Sequence, residues 1–413
     1  MVRGGDMSNV KHCVIMAVLF CSVRVFALSE FQDLLEKMTY TSEQTAIFIE
    51  DDGKLAERIS DSKYVIKFYK HTLPGFEPNP NYPPLLLSHG LISNSKEFRY
   101  YIKVMSILGY QVYSFNWPGF GKGEDIITSD RSFIPQHRYQ RGDYRFEPFF
   151  MTIYPAVVQY LYHLEGRKIA SLGHSMGGMA PFVSFITNYV NPDFVSHFTM
   201  VGSPLGFEKL KKMRRLATIL KPIIIRYRDM GVESKAIRLT VLENDIAKAI
   251  TYYGVETFAN SILGNRILAW STNVKNYHKG ELGKALLTAI SDTHPDILLS
   301  FLEFILEGFP YKGLPFPKGV QKLAVYGTVD YMVDQDPVKQ NIYEQAYEHN
   351  HENSYLLGVH DMGHLDEVSL KATISLVSEF HRFFQNRYQS FGIGHHKVIG
   401  LRSSPPTRCS LIF

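Results

Sequence analysis

The chain of 413 residues predicts an α/β fold, in which a mostly parallel sheet of eight strands carries a helical cap inserted between its sixth and seventh strands. Three observations predict it. Strand-like and helix-like segments alternate from residue 46 to residue 204, and the alternation resumes from 322 to 386. Between these parts the apolar pattern is helical throughout. A serine in the glycine-rich stretch 173–178 lies where a strand passes into a helix.

The first part of the chain contains six predicted strands, separated mainly by helices. The strands cover residues 46–50, 64–69, 84–88, 110–115, 167–172 and 198–201, and the helices cover about 96–108, 148–164 and 179–190. The turn Asp51-Asp-Gly53 joins the first two strands as a hairpin-like opening. Because the later strands alternate with helices, they are expected to run parallel, with helices covering both faces of the sheet.

The strand pattern returns with predicted strands at 322–326 and 355–359 and a helix at about 367–386. We therefore interpret the helical block as an insertion into one sheet domain, although a separate helical domain is the alternative. A cap in this position would lie above the serine and shape an apolar pocket. The predicted organisation is a first core part at 28–204, a cap at 205–317, a second core part at 318–388 and a mobile tail at 389–413.

The N-terminus has the pattern of a secretory signal peptide over residues 1–27. Basic residues flank an apolar run that ends with small residues at Val25-Phe-Ala27. A secreted or periplasmic protein is therefore expected, and an N-terminal membrane anchor is the alternative. The formal net charge of +4 is small for 413 residues and indicates no nucleic-acid partner.

The stretch Gly173-His-Ser-Met-Gly-Gly178 contains the spacing Gly173-x-Ser175-x-Gly177. This spacing is typical of a serine on a sharp turn between a strand and a helix, where the hydroxyl stands clear of the backbone. Glycines two residues to either side avoid the clashes that such a turn creates. The alternative is an ordinary glycine-rich turn whose serine faces solvent.

A nucleophilic serine needs a base, and the base needs an orienting acid. His364 follows the last predicted strand and is the candidate base, with His360 as the alternative. Asp330 lies just past the preceding strand and is the candidate acid, with Asp334 and Asp336 as alternatives. His364 would take the serine proton, while Asp330 would hold the imidazole tautomer.

An oxyanion hole is expected from two backbone amides. One is the amide of Met176, directly after the nucleophile. The other is the amide of Leu91, in the turn His89-Gly-Leu91 after the third strand. Glycine at position 90 lets the backbone turn an N–H toward the site. A simple strand-ending turn is the alternative interpretation of His89-Gly90.

With these motifs the chain resembles the α/β-hydrolase superfamily, and within it the lipases and lysophospholipases. The order Ser175, Asp330, His364 is the order expected in that superfamily. The segments 85–93, 330–338 and 364–366 resemble acid lipases. The segments 116–123 and 173–178 resemble monoacylglycerol lipases and bacterial lysophospholipases. The cap carries no matching motif, so the resemblance leaves the substrate open.

The resemblance implies a serine hydrolase acting on lipid-like acyl esters through an acyl-serine intermediate. A serine peptidase of the same fold and an idle binding module on the hydrolase scaffold are the alternatives. No cofactor is expected, and no metal set is visible, because His395-His396 lacks partners at ligand spacing. The expected partners are an acyl ester substrate and, transiently, a membrane surface.

Overall fold

The computed structural model describes residues 28–58, 61–121, 145–207, 210–229, 276–277, 281–282, 291–311, 313–349, 351–388 and 396–401. The predicted signal peptide at 1–27 and much of the predicted cap lie outside these residues. Where the structure is described, it follows the predicted alternation of strands and helices closely.

A nine-stranded sheet forms the centre of the protein. Its strands are β1 Thr41–Ile49, β2 Tyr64–Thr72, β3 Leu85–Ser88, β4 Val112–Phe115, β5 Ile169–His174, β6 Val195–Val201, β7 Gln321–Gly327, β8 Ser354–His360 and β9 His396–Gly400. Their spatial order is β1-β2-β4-β3-β5-β6-β7-β8-β9. Strand β2 is antiparallel to β1 and β4, and every other neighbouring pair is parallel. The predicted mostly parallel sheet is confirmed.

Helices cover both faces of the sheet, because successive side chains of a strand point to opposite sides. Leu86 packs in the cluster that contains residues of α3 and α4, whereas Leu85 and Leu87 pack with residues of α2 and α8. The described helices are α1 Leu28–Lys37, α2 Arg99–Ile107, α3 Tyr154–Glu165, α4 Met176–Ile186, α5 Lys211–Asp229, α6 Pro295–Glu307, α7 Gln335–Tyr343 and α8 Leu370–Phe384.

Short helical turns complete the described elements. The 3₁₀ turns are Ser95–Phe98, Pro192–Phe194 and Leu365–Val368, and the π-helical turns are Phe149–Ile153 and Glu344–Glu348. None of the helices in the described part of the chain combines the length and apolarity that crossing a bilayer requires.

Strand β9 corrects the expectation of a mobile tail at 389–413 as far as residues 396–400 are concerned, and the rest of that tail, apart from residue 401, lies outside the described residues. Residues His396–Gly400 pair in parallel with β8 and extend the sheet by one strand beyond the predicted eight. Lys397 Nζ donates to Glu379 Oε1 at 2.8 Å, and Ile399 packs against the core. The strand was missed because its apolar run, Val398-Ile399, is too short to produce a periodic signal.

Helices α5 and α6 lie in the range predicted for the cap, between β6 and β7. They pack on each other around Ala217, Leu302 and Ile305, together with Phe207, which precedes α5. A short antiparallel ladder joins Phe120–Gly121 to Asp292–Thr293 and ties the end of this range to the loop after β4. The helical range therefore contacts a loop that follows a strand of the sheet.

Candidate active site

Ser175 occupies a strained turn between β5 and α4. Its backbone has φ 54° and ψ −123°, in the region that side-chain-bearing residues rarely adopt. The Ser175 N–H donates to the carbonyl oxygen of Val201 on the neighbouring strand at 2.8 Å, which holds the turn in place. The side chain thus projects from the carboxyl end of the central strand.

The glycines around Ser175 are required by close backbone contacts. A Cβ atom on Gly173 would lie 2.0 Å from the carbonyl oxygen of Gly177. A Cβ atom on Gly177 would lie 2.0 Å from the carbonyl oxygen of Ser88 at the end of β3. The spacing in the sequence therefore reflects the tight packing of the turn against its own helix and the adjacent strand.

Ser175, His364 and Asp330 form a continuous chain of contacts. His364 Nε2 lies 2.9 Å from Ser175 Oγ, and His364 Nδ1 lies 3.1 Å from Asp330 Oδ2. Asp330 Oδ1 accepts the backbone N–H groups of Met332 and Val333 at 2.9 and 3.1 Å. This geometry suits a histidine that accepts the serine proton while its other nitrogen donates to a fixed carboxylate.

The alternative residues lie in other surroundings. His360 is the last residue of β8 and is exposed. Asp334 is the N-cap of α7 and accepts the Asp336 N–H at 3.2 Å, while Asp336 lies in the first turn of that helix. Among the candidate acids and bases, the structure therefore brings Asp330 and His364 to Ser175, and not Asp334, Asp336 or His360.

The turn His89-Gly90-Leu91 lies beside Ser175. His89 Nδ1–H donates to the Gly90 carbonyl oxygen at 2.9 Å, and Nε2 accepts the Trp117 N–H at 3.1 Å. Burial lowers the pKa of His89 to about 4, so this ring is neutral and shapes the turn. Gly90 packs closely, since an added Cβ would lie 3.2 Å from Ser175 Cβ.

The two amides predicted for the oxyanion hole lie in suitable segments. Leu91 lines the cavity at Ser175. Met176 is the first residue of α4, where backbone N–H groups have no acceptor within the helix. Ile92, next to Leu91, has φ 53°, a rare value for a β-branched residue. Its carbonyl oxygen accepts the Ser291 N–H at 3.0 Å.

Two buried carboxylates beside the site were not predicted. His174 Nδ1 lies 3.4 Å from Glu97 Oε1, and His174 Nε2 lies 3.3 Å from Glu367 Oε2. The same Nε2 is 3.2 Å from the His364 carbonyl oxygen. Glu97 also accepts the Gly90 N–H at 2.9 Å and the Ser93 hydroxyl. His174 and Glu97 thereby connect the turn at Gly90 to the backbone of His364.

The pKa values of the two carboxylates are shifted in opposite directions. Burial opposes ionisation of His174, but the charge of Glu97 and the contacts with Glu97 and Glu367 together outweigh burial, and the pKa of His174 is raised to about 10. Burial also opposes ionisation of Glu97, but His174 lowers its pKa below the usual value. For Glu367 burial prevails over its contact with His174, and its pKa is raised to about 7. Glu97 is therefore the anionic partner of the His174 imidazolium.

One group of side chains has the composition of a metal site. Ligand atoms of His174, His364 and Glu367 lie within 4.8 Å of one another. Both ring nitrogens of His364 already contact Ser175 and Asp330, however, and His174 faces Glu97. The arrangement therefore suits proton transfer and ion pairing better than metal ligation.

Residues from the predicted cap support the loop that carries His364. Asp366 Oδ2 accepts the Gly363 N–H and the Asn276 Nδ2–H, both at 2.8 Å. Asn276 also donates to the Asp361 carbonyl oxygen at 2.6 Å. The Tyr277 hydroxyl donates to the Leu365 carbonyl oxygen at 2.6 Å. Asp366 thus fixes the loop and lies outside the chain of contacts that joins Ser175, His364 and Asp330.

A cavity of about 190 Å³ opens at Ser175 and His364. Its lining is mostly apolar, with contributions from Leu91, Ile92, Pro204, Phe207, Met213, Leu282, Phe301, Met332, Val333, Leu365 and Val368. Among the described lining residues, the ionisable acids and bases other than tyrosine are Glu97, His174 and His364, each engaged as above. The cavity suits an uncharged, apolar group.

Comparison with known proteins agrees with this architecture. The family described as alpha/beta hydrolase fold matches residues 83–220, which include the turn at Gly90 and Ser175. No curated protein matches the chain. Taken with the strand order and the turn at Ser175, the family match shows that the chain has the α/β-hydrolase fold.

Several solved structures are similar in overall shape at low sequence identity. A carboxylesterase of the thaumarchaeon Nitrososphaera gargenis has 14% identity and a TM-score of 0.49, covering 80% of this chain and 99% of that one. An esterase of Thermogutta terrifontis has 13% identity and a TM-score of 0.48, with coverage of 83% and 99%. The carboxylesterase CesB of Bacillus subtilis has 12% identity and a TM-score of 0.46, with coverage of 92% and 99%.

Proposed function

We propose that the protein is a serine hydrolase that cleaves lipid-like carboxylic acyl esters through an acyl-Ser175 intermediate. The observation that carries the proposal is the 2.9 Å contact between His364 Nε2 and Ser175 Oγ at an apolar cavity. An activated serine supplies the nucleophile, and the lining supplies a binding surface for an acyl chain.

In the proposed reaction, Ser175 Oγ attacks the ester carbonyl carbon while its proton moves to His364 Nε2. The negative charge on the carbonyl oxygen is stabilised by the N–H groups of Leu91 and Met176. The tetrahedral intermediate expels the alcohol, which takes the proton from His364. Water then attacks the acyl-serine with His364 again as the base, releasing the acid and restoring Ser175.

The buried charges beside the site support this role without taking part in bond breaking. Asp330 holds the Nδ1–H of His364, so Nε2 is free to accept the serine proton. Glu97 holds the Gly90 N–H, which fixes the backbone that leads to the Leu91 amide. A preoriented amide costs no reorganisation when charge develops on the carbonyl oxygen.

The test is hydrolysis of 4-nitrophenyl esters from acetate to palmitate, with Ser175→Ala as the control. We expect a rate that peaks at medium or long acyl chains and vanishes in the variant. A phosphonate probe should label the wild type at Ser175 and should not label the Ser175→Ala variant. A peak at acetate would contradict the lipid-like substrate. No Ser175-dependent rate on any ester would contradict the ester hydrolase and favour a peptidase or an idle scaffold.

We further propose that residues 1–27 direct export to the periplasm or the cell exterior, on the strength of their charge and apolar pattern. N-terminal sequencing of the protein recovered from its producing cells should begin at Leu28. Recovery of the intact N-terminus in the membrane fraction would instead indicate an anchor.

A further inference from the structure

Helix α5 has two apolar stripes, and one of them packs against α6. Met213, Ala217, Leu220 and Ile224 recur at helical spacing and pack in the cluster formed with α6. The second stripe consists of Leu216, Ile219 and Ile223, which are also spaced along one side of the helix. These three side chains are 36%, 54% and 58% exposed. A helix needs one apolar stripe to pack on its domain, so packing among the residues that the structure describes does not account for the second stripe.

The outer side of α5 is strongly basic. The helix contains seven lysines and arginines and one acidic residue, Asp229. Two basic residues are paired with α6: Lys221 lies 3.1 Å from Glu303, and Arg228 lies 3.5 Å from Asp296. Lys211, Lys212, Arg215 and Arg226 are exposed, at both ends of the apolar stripe and beside it.

We propose that the outer surface of α5 docks on an anionic lipid surface. Exposed aliphatic side chains flanked by lysines and arginines are the composition of helices that lie in the interface plane of a bilayer. The aliphatic groups enter the boundary of the acyl chains, and the basic groups contact anionic headgroups. A purely apolar partner would explain the stripe but would not account for the exposed lysines and arginines at its ends and beside it.

The docking surface lies on an element that also forms the cavity. Met213, on the buried side of α5, lines the cavity at Ser175 together with Phe207 and Phe301. Docking through α5 would therefore bring a wall of the cavity next to the lipid surface. The role of this docking in substrate delivery rests on the proposed function, whereas the docking itself does not.

The test measures binding of the full chain to vesicles by co-sedimentation. Phosphatidylcholine vesicles with and without phosphatidylglycerol are compared for the wild type, Ile219→Asp/Ile223→Asp and Lys211→Gln/Arg215→Gln. Leu164→Asp on α3 is a matched control, because Leu164 is 53% exposed and Ile219 is 54% exposed. The rate on a soluble short-chain ester is measured in parallel as the check of folding.

We expect the wild type to bind anionic vesicles preferentially, and more weakly as salt is raised. Each α5 double variant should lower the partition coefficient about tenfold, while Leu164→Asp and the soluble-ester rates stay unchanged. Equal partitioning of the wild type and both double variants, or no binding by the wild type, would overturn the docking surface. A soluble-ester rate that does not depend on Ser175 would instead overturn the proposed function.

Discussion

Glu97 and His174 form a buried ion pair immediately next to Ser175, with 3.4 Å between Oε1 and Nδ1. Their side chains are only 3% and 4% exposed. A buried ion pair is seldom kept for stability alone, because removing two charges from water is costly. This pair lies between the Gly90 turn and the backbone of His364, which suggests that it maintains the relative position of the two.

The first prediction concerns stability against pH. The pKa of His174 is raised from 6.5 to about 10 in the folded protein. The stability contributed by its protonated ring is therefore fully present below pH 6.5 and is lost as the pH rises to about 10. The pKa of Glu367, which is raised to about 7, likewise makes the free energy of unfolding fall as the pH rises from about 4.5 to 7. The free energy of unfolding should fall by on the order of a few kcal/mol between pH 6.5 and 10.

Urea unfolding at pH 6.5, 8 and 9.5 measures this decline. In His174→Gln the decline over the same range should be much smaller, since a neutral amide releases no proton. Parallel curves for the wild type and His174→Gln would show that another group causes the pH dependence.

The second prediction separates the charge of Glu97 from its hydrogen bonds. In Glu97→Gln the amide oxygen can still accept the Gly90 N–H, whereas Glu97→Leu loses this contact. Glu97→Leu should lower kcat by roughly a hundredfold with little change in KM, because the amide proposed for the oxyanion hole would act mainly on the transition state. Glu97→Gln should retain much more of the rate. Steady-state kinetics on a soluble ester measures both, and equal losses would contradict a role for the Gly90 contact.

The sheet and the serine–histidine–aspartate arrangement could be predicted from the sequence because their signals are local. Ser175 is marked by the glycines two residues before and two residues after it. Asp330 and His364 each follow an apolar strand. In a parallel sheet, residues that follow strands meet at one edge. The positions of these three residues after their strands were therefore sufficient to predict that they lie close together.

The buried carboxylates could not be predicted in the same way. Glu97 lies in a segment that the sequence assigns to a helix, where a glutamate is usually exposed. Its burial depends on His174 and Gly90, which are distant in sequence or belong to another element. The start of β1 was missed for a similar reason, since residues 41–45 are polar and exposed and join the sheet through their ladder with β2.

The third prediction identifies the acid that orients His364. In Asp330→Asn the amide oxygen keeps accepting the Met332 and Val333 N–H groups, so the amide N–H faces His364 Nδ1 and favours the tautomer whose Nε2 carries the proton. That nitrogen cannot accept the serine proton, so kcat should fall by about 10⁴. Asp334→Asn is the matched control, because asparagine caps a helix as well as aspartate does, and its rate should be close to that of the wild type. A larger loss in Asp334→Asn would show that the acid is misassigned.

The last prediction concerns the support that the predicted cap gives to the His364 loop. Asn276 Nδ2 donates to Asp366 Oδ2 and to the Asp361 carbonyl oxygen, so Asn276→Ala removes two donors from a largely buried loop. Leaving such acceptors without their donors should lower the free energy of unfolding by about 1–3 kcal/mol. Because the same loop sets the 2.9 Å contact between His364 and Ser175, kcat should fall as well.

Thermal unfolding and ester hydrolysis measure the two effects in parallel, with Asn81→Ala as the control at an exposed asparagine. A loss of kcat in Asn276→Ala at temperatures well below its unfolding transition would show that the loop is misplaced in the folded enzyme. A loss of stability with an unchanged kcat would show that Asp366 and the remaining contacts are sufficient to hold His364. Unchanged stability and unchanged kcat would mean that the cap does not support this loop in solution.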